Sequence, residues 1–138
     1  MKQLQRTLSI ETRPYSFHDI TDQVAKVARE SGVTTGLCVV FIRHTSASLL
    51  IQENADPAVL RDLERWMRDI APESRRWEHD DEGPDDMPSH ARSALTHTSE
   101  SIPIVEGKLA LGTWQGLYVW EHRRTAHRRS VVVHVLGE

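Results

Sequence analysis

Cysteine is almost missing from this chain. Of 138 residues only Cys38 carries a thiol, so no internal disulfide can form and nothing points to an oxidising compartment. That cysteine sits in an apolar run, where a buried structural thiol is expected. A basic excess is missing as well: the net charge is −3, and no global field invites nucleic acid. No apolar stretch approaches the roughly twenty residues that cross a bilayer. The opening M-K-Q-L-Q-R-T-L-S-I-E-T-R has no apolar core of a signal peptide. A cytoplasmic protein without membrane or nucleic-acid partners is therefore expected. Glycine-rich phosphate loops are absent too, since neither G-x-x-x-x-G-K-[ST] nor G-x-G-x-x-G occurs. With no repeats, low-complexity tracts or linkers, residues 1–138 read as one domain, long enough to bury a core unaided.

What is abundant is acid in one place. Trp77 to His90 reads W-E-H-D-D-E-G-P-D-D-M-P-S-H. Gly83, Pro84 and Pro88 forbid a continuous helix or strand through it. Asp80, Asp81, Glu82, Asp85 and Asp86 repel one another unless a cation, an arginine or water compensates them. A solvated acidic loop is the plain alternative. The histidines at either end, His79 and His90, make it a candidate divalent-metal site, with carboxylates suiting Mg or Mn and imidazoles suiting Zn.

Periodicity supplies the scaffold. Leu4, Leu8 and Ile10 share one parity and predict a half-buried strand over 3–12. Asp19 or Thr21 caps a helix carrying Ile20, Val24, Val27 and Ala28, which Ser31-Gly32 stops. Gly36 opens L-C-V-V-F-I, a strand with both faces expected to be covered. A second strand follows and ends near Glu53. Asp56-Pro57 starts a helix with Leu60, Leu63, Met67 and Ile70 on one face, Trp66 beside them, and a Glu64–Arg68 pair on the outer face. After the acidic loop, Asp86 or Met87 caps a short helix to about His97, with Ala91, Ala94 and Leu95 facing inward. Strands are expected over 101–105, 109–111, 112–121 and 130–136, with 122–127 a basic hairpin tip. Strands without regular βα alternation predict an α+β fold with a largely antiparallel sheet system.

Several side chains are candidates for chemistry. His44 ends an apolar strand, where a rigid scaffold can hold a ligand or base. Thr45, Ser46 and Ser48 after it can cradle phosphate oxygens or simply satisfy a bend. His44, His79 and His90 together would leave a metal with an open position. Asp56 is accounted for as a helix cap, whereas Glu53 has no evident structural task. Trp114 and Gln115, early in a strand, can wall a pocket that stacks a flat ring, and Glu121 lies on the same face. The turn with Arg123, Arg124, Arg128 and Arg129 is the one dense cationic patch and the natural dock for phosphate or pyrophosphate.

In order along the chain, H-T-S-A-S-L at 44–49, E-N-A-D-P at 53–57, E-H-D at 78–80, D-D-M-P-S-H at 85–90, I-P-I at 102–104, L-G-T-W-Q-G at 111–116 and the final L-G-E resemble the YjbQ-like family, also known as secondary thiamine-phosphate synthases. The chain departs from that pattern in carrying Met87-Pro88-Ser89 where relatives have Asn-Ala, and R-T-A-H at 124–127 in place of a glycine-rich turn. The resemblance implies two packed sheets with flanking helices, a homotrimer, and histidines and acids clustered at a subunit boundary. The family's histidine positions fall on His44, His79 and His90. Its acidic and polar positions fall on Glu53, Asp56, Asp80, Trp114, Gln115, Glu121 and Arg129.

The reaction implied joins an aminopyrimidine methyl diphosphate to a thiazole phosphate and releases pyrophosphate, with Mg or Mn as cofactor and Zn an option at the histidines. In it Asp80 would hold the cation and Arg129 would meet the phosphate, with Glu53 and Glu121 completing the catalytic set and Thr45, Ser46, Trp114 and Gln115 holding substrate. Two other readings fit the same residues. One is a metal-dependent hydrolase of a small phosphorylated substrate, with Glu53 or Asp80 as base. The other is a trimeric metal- or ligand-binding protein without activity.

Overall fold

The computed structural model describes residues 1–138. The strands are β1 (Lys2–Glu11), β2 (Phe17–Asp19), β3 (Gly36–Ile42), β4 (Ala47–Glu53), β5 (Ser99–Val105), β6 (Lys108–Leu109), β7 (Gln115–Glu121) and β8 (Arg128–Gly137). The helices are α1 (Thr21–Ser31), α2 (Pro57–Ile70) and α3 (Asp86–Leu95). Every strand pairs antiparallel, in a five-stranded sheet of order β1-β8-β3-β5-β6 and a three-stranded sheet of order β2-β7-β4. This is the expected α+β architecture, and no helix is long and apolar enough to cross a membrane.

Alternation builds the core. Cys38, Val40 and Ile42 on β3, Ile102 and Ile104 on β5, and Val131, Val133 and Val135 on β8 share one face of the large sheet. Leu49 of β4 with Leu117 and Val119 of β7 comes from the small sheet, and Val24, Val27 and Ala28 come from α1. The opposite face of the small sheet meets the other two helices. There the Trp120 indole N–H donates to Glu64 of α2 (3.1 Å), while Ser93 of α3 donates to the Ala47 carbonyl (3.4 Å).

Three expectations are corrected. β3 has only one covered face: Leu37 and Phe41, on its other side, are exposed. On α2, Glu64 is buried while Trp66 and Ile70 face solvent. The burial of Glu64 is made affordable by partners distant in sequence, Arg92 (3.3 Å) and Trp120, together with Arg68 (3.0 Å). The inward face of α3 is Pro88, Ser89, Arg92 and Ser93, whereas Ala94 and Leu95 are exposed.

Connectivity matters most for the site. β3 lies in the large sheet and β4 in the small one, so residues 43–46 cross between layers. β7 and β8 also belong to different sheets, so 122–127 is a second crossing and not a hairpin tip. The crossings lie side by side. Arg43 N–H donates to the Ser130 carbonyl (3.1 Å), and His122 N–H donates to the Ser46 carbonyl (3.2 Å).

Candidate metal centre

The acidic loop folds back on itself through α3. Asp86 and His90 stand four apart on that helix, so their side chains share a face. The His90 Nε2 lies 3.1 Å from Asp86 Oδ2, and His79 Nε2 reaches the same oxygen at 2.8 Å. The three ligand atoms lie within 4.8 Å of one another. His79 Nε2 also meets Glu82 Oε2 at 2.8 Å. Bonds to Asp86 and Glu82 hold the exposed His79 imidazole above its usual pKa.

Asp85 and Asp86 are buried, which by itself would favour their neutral forms. Arg123 answers this with bonds to Asp85 Oδ2 (2.8 Å) and Asp86 Oδ1 (2.9 Å), and the Arg124 N–H adds another to Asp85 (2.9 Å). Burial raises both carboxyls, but these contacts, with His79 on Asp86, overcome it and keep both below the usual range. Arg123 is thus spent on the loop and is not a free phosphate dock.

The tautomer of His90 decides what the centre can hold. Its Nδ1 lies 2.9 Å from the Thr45 carbonyl, which only accepts, so Nδ1 carries the proton. In the neutral ring Nε2 then presents a lone pair to a carboxylate oxygen. Two acceptors facing one another need a cation between them, either a proton or a metal. A backbone carbonyl orienting a ligand imidazole in this way is a common support around metals. Tetrahedral bonds of ~2.0–2.1 Å place ligand atoms ~3.3 Å apart, so the present 2.8 and 3.1 Å separations need to open by only a few tenths of an ångström.

The other predicted residues divide. His44 stands outside this trio. Its Nε2 accepts the Ser130 N–H (2.8 Å), and burial and the nearby Arg129 charge hold its imidazole below the usual pKa. Arg129 is buried and committed: it donates to both oxygens of Glu121 (2.8 and 2.5 Å) and to the carbonyl and hydroxyl of Ser46 (3.2 and 3.0 Å). Glu121 also accepts from the Thr12 hydroxyl (2.6 Å) and the Arg123 N–H (3.0 Å). Burial pushes the Glu121 carboxyl up, but these donors prevail and hold it below the ordinary value. Ser46, Glu121 and Arg129 therefore brace the two crossings. Thr45 contributes its carbonyl to His90, and Asp80 is exposed in a cleft beside His79. Ser48 and His122 form a 2.8 Å pair but are sealed from solvent, and burial drives His122 down to about 3.

Glu53, Trp114 and Gln115 lie elsewhere. Glu53 pairs with Gln115 across β4 and β7, whereas Ala47 pairs with Glu121 at the other end. Six residues of strand separate the two ends, about 20 Å at ~3.4 Å per residue. Glu53 has a structural task after all, accepting the Ala55 N–H (2.9 Å) and shaping the turn into α2. Trp114 precedes β7 and is 64% exposed, and Gln115 accepts the Gly112 N–H (2.7 Å). Asp86 is the member of this candidate trio that reading along the sequence did not single out. Its signal was the D-x-x-x-H spacing to His90.

Two antiparallel sheets, with an acid- and histidine-bearing loop closing over the crossings between them, define a compact α+β class of small domains. The chain belongs to the YjbQ family: residues 6–138 match the family described as "UPF0047 protein YjbQ-like". It is 57% identical to the UPF0047 protein sll1880 of Synechocystis sp. over 138 residues, covering 99% of this chain and 94% of that one. It is 42% identical to the UPF0047 protein YjbQ of Salmonella typhimurium, covering 97% and 98%. Among solved structures, a YbjQ-like protein of unknown function from Sulfolobus solfataricus superposes with a TM-score of 0.88 at 26% identity, covering 99% of both chains. An uncharacterized conserved protein of the yjbq/upf0047 family from Clostridium acetobutylicum gives 0.88 at 37% identity, covering 95% and 99%.

Proposed function

We propose that the protein is a metal-dependent enzyme acting on a phosphorylated small molecule, and that the reaction is thiamine-phosphate formation from an aminopyrimidine methyl diphosphate and a thiazole phosphate. The observation that carries the metal dependence is the His90 ring, whose Nδ1 is tied to the Thr45 carbonyl while Nε2 faces Asp86 at 3.1 Å. Two imidazoles and one carboxylate suit Zn or Mn, whereas Mg would lean on the loop carboxylates and water. A divalent cation bound there supplies positive charge against the negative charge that builds on departing pyrophosphate. The chain's own share is to hold the donors. Arg123 clamps Asp85 and Asp86, Thr45 orients His90, and Asp80 remains open to solvent beside His79.

The enzyme is further proposed to work as a homotrimer in a soluble compartment, the cytoplasm. Two features support association. The outer side of the large sheet leaves Leu37, Phe41 and Val105 exposed. The ring-stacking residues Trp114 and Gln115 stand about 20 Å along the small sheet from Glu121, so a site that uses them together with Glu121 takes them from another subunit. Within one chain the aromatic surface beside His79 is Trp77, which lines the same cleft as His79 and Asp80.

The test measures bound metal by elemental analysis and product by chromatography, with each precursor omitted in turn and Mg, Mn or Zn supplied. Thiamine phosphate requiring both precursors, together with metal lost in His79→Ala, Asp86→Asn and His90→Ala but kept in His97→Ala and His127→Ala, supports the proposal. Metal without product above the no-enzyme control removes the synthase reaction and leaves the hydrolase and the binding protein. No metal in the wild type removes the metal centre.

A further inference from the structure

We propose a second site, an oxyanion subsite in the pocket of about 520 Å³ lined by Tyr15, Arg68, Pro72, Glu73, Arg92 and Arg124. It takes the phosphate group of a phosphorylated small molecule. None of these residues belongs to the metal centre. Arg92 forms the floor. Its side chain is 2% exposed, its bonds to Glu64 and the Ala71 carbonyl are long (3.3 and 3.4 Å), and its Nε has no partner. A guanidinium has five N–H donors, so this buried one is under-satisfied and incurs a desolvation cost that an added acceptor removes. Arg68 and Arg92 stand over the Tyr15 ring, 5.5 and 5.4 Å from its centroid. Tyr15 itself sits at φ +49°, a conformation costly for a non-glycine residue and typical of ligand clamps.

Charge bookkeeping gives the ligand its sign. Three guanidinium groups, of Arg68, Arg92 and Arg124, meet two carboxylates, of Glu64 and Glu73. One positive charge is left over in a half-enclosed site, where arginine prefers phosphate or carboxylate oxygens. Glu73 already shows the binding mode: its carboxylate accepts from the Tyr15 hydroxyl and from Arg124. It occupies the place of an oxyanion as an internal stand-in. Glu73 lies outside the helices and strands and also lines the neighbouring cleft with His79 and Asp80. An arriving phosphate displaces its side chain from Tyr15 and Arg124. Of the arginines in the basic turn, Arg123 and Arg129 are consumed by Asp85, Asp86 and Glu121, so Arg124 is the one that faces this pocket. Identifying the bound group as the substrate's phosphate end rests on the function proposed above, whereas the anion site stands on its own geometry.

The experiment titrates inorganic phosphate into metal-free full-length protein by calorimetry, so an absent metal centre does not affect the outcome. Saturable binding is expected. Arg124→Gln should weaken it about tenfold, the loss of one charge-assisted hydrogen bond. Glu73→Gln should strengthen it severalfold by removing the internal competitor. Arg128→Gln, which loses an exposed arginine paired with Glu11 (3.0 Å), should change it less than twofold. No saturable binding to the wild type, equal weakening by Arg124→Gln and Arg128→Gln, or weaker binding in Glu73→Gln would each overturn the proposal.

Discussion

Replacing Arg129 by Met should cost far more stability than an ordinary substitution, and most of that cost should vanish when Glu121 is replaced as well. Glu121 is wholly buried and keeps its charge because Arg129 meets both of its oxygens, at 2.8 and 2.5 Å. Removing one partner of a buried ion pair strands the other and costs about 3–5 kcal/mol. Unfolding a chain of 138 residues gains about 0.3 kcal/mol/K, at ~2.1 cal/mol/K per residue, so the melting temperature should fall by roughly 10–17 °C. Guanidinium denaturation at pH 7, followed by tryptophan fluorescence, measures the loss directly. The double variant Arg129→Met/Glu121→Gln keeps an acceptor for Thr12 and the Arg123 N–H without a stranded charge, and should recover at least half of it. The pH dependence has opposite signs in the two proteins. In the wild type the depressed Glu121 pKa contributes stability above the ordinary value of 4.5 that is lost as pH falls through the lower folded value. In Arg129→Met burial dominates and lifts the carboxyl, so the folded state takes up a proton first and the deficit shrinks as pH falls. A single variant costing under about 1 kcal/mol, or a double variant no better than the single, would refute this account of the pair.

Metal affinity should rise with pH through a midpoint above 6.5, because Asp86 and Glu82 hold the His79 proton that the metal must displace; Asp86→Asn should move the His79 titration down in an NMR pH series. His44→Ala should retain bound metal by elemental analysis, since its Nε2 is engaged by the Ser130 N–H. Gly36→Ala should destabilise by about 1–3 kcal/mol or more in denaturant, because a Cβ there would lie 2.2 Å from the Leu136 carbonyl oxygen and force β3 from β8. Light scattering should give three chain masses at micromolar concentration, whereas a persistent monomer would exclude a site shared across subunits.

The elements were legible where local chemistry sufficed. Asp56-Pro57 did start α2, with the Asp56 carboxylate accepting the Ala58 N–H (2.9 Å), and Gly32 did end α1 at φ +72°. The three-residue β2 left no readable period, so Pro14 to Asp19 passed as a connection. Assignment of strands to sheets was hidden for a different reason. Sequence shows that β7 and β8 are strands, but nothing local says that they lie in different layers, so the basic stretch between them read as a hairpin tip. Buried polar residues were the hardest. Glu64 sits inside because Arg92 and Trp120 both donate to it, a fact that no period of hydrophobicity records. At the candidate metal centre the histidine pair was visible from its loop. Asp86 was masked by the four acids that stand with it between the histidines, although the sequence carries its four-residue spacing to His90.

Cys38 lies in the middle of β3, flanked by Ile102 of β5 and Val135 of β8, fully buried, with burial pushing its thiol up to about 11. Alkylating reagents attack the thiolate, so the native protein is inert to them at neutral pH and labelling waits for the central strand to come free. Where reclosing is faster than labelling, the rate measures the population of opened sheet. Where labelling is faster, it measures how often the sheet opens. With one thiol per chain, each labelled molecule in a mass spectrum records a single opening event, so the protein carries its own clock for the opening of the large sheet.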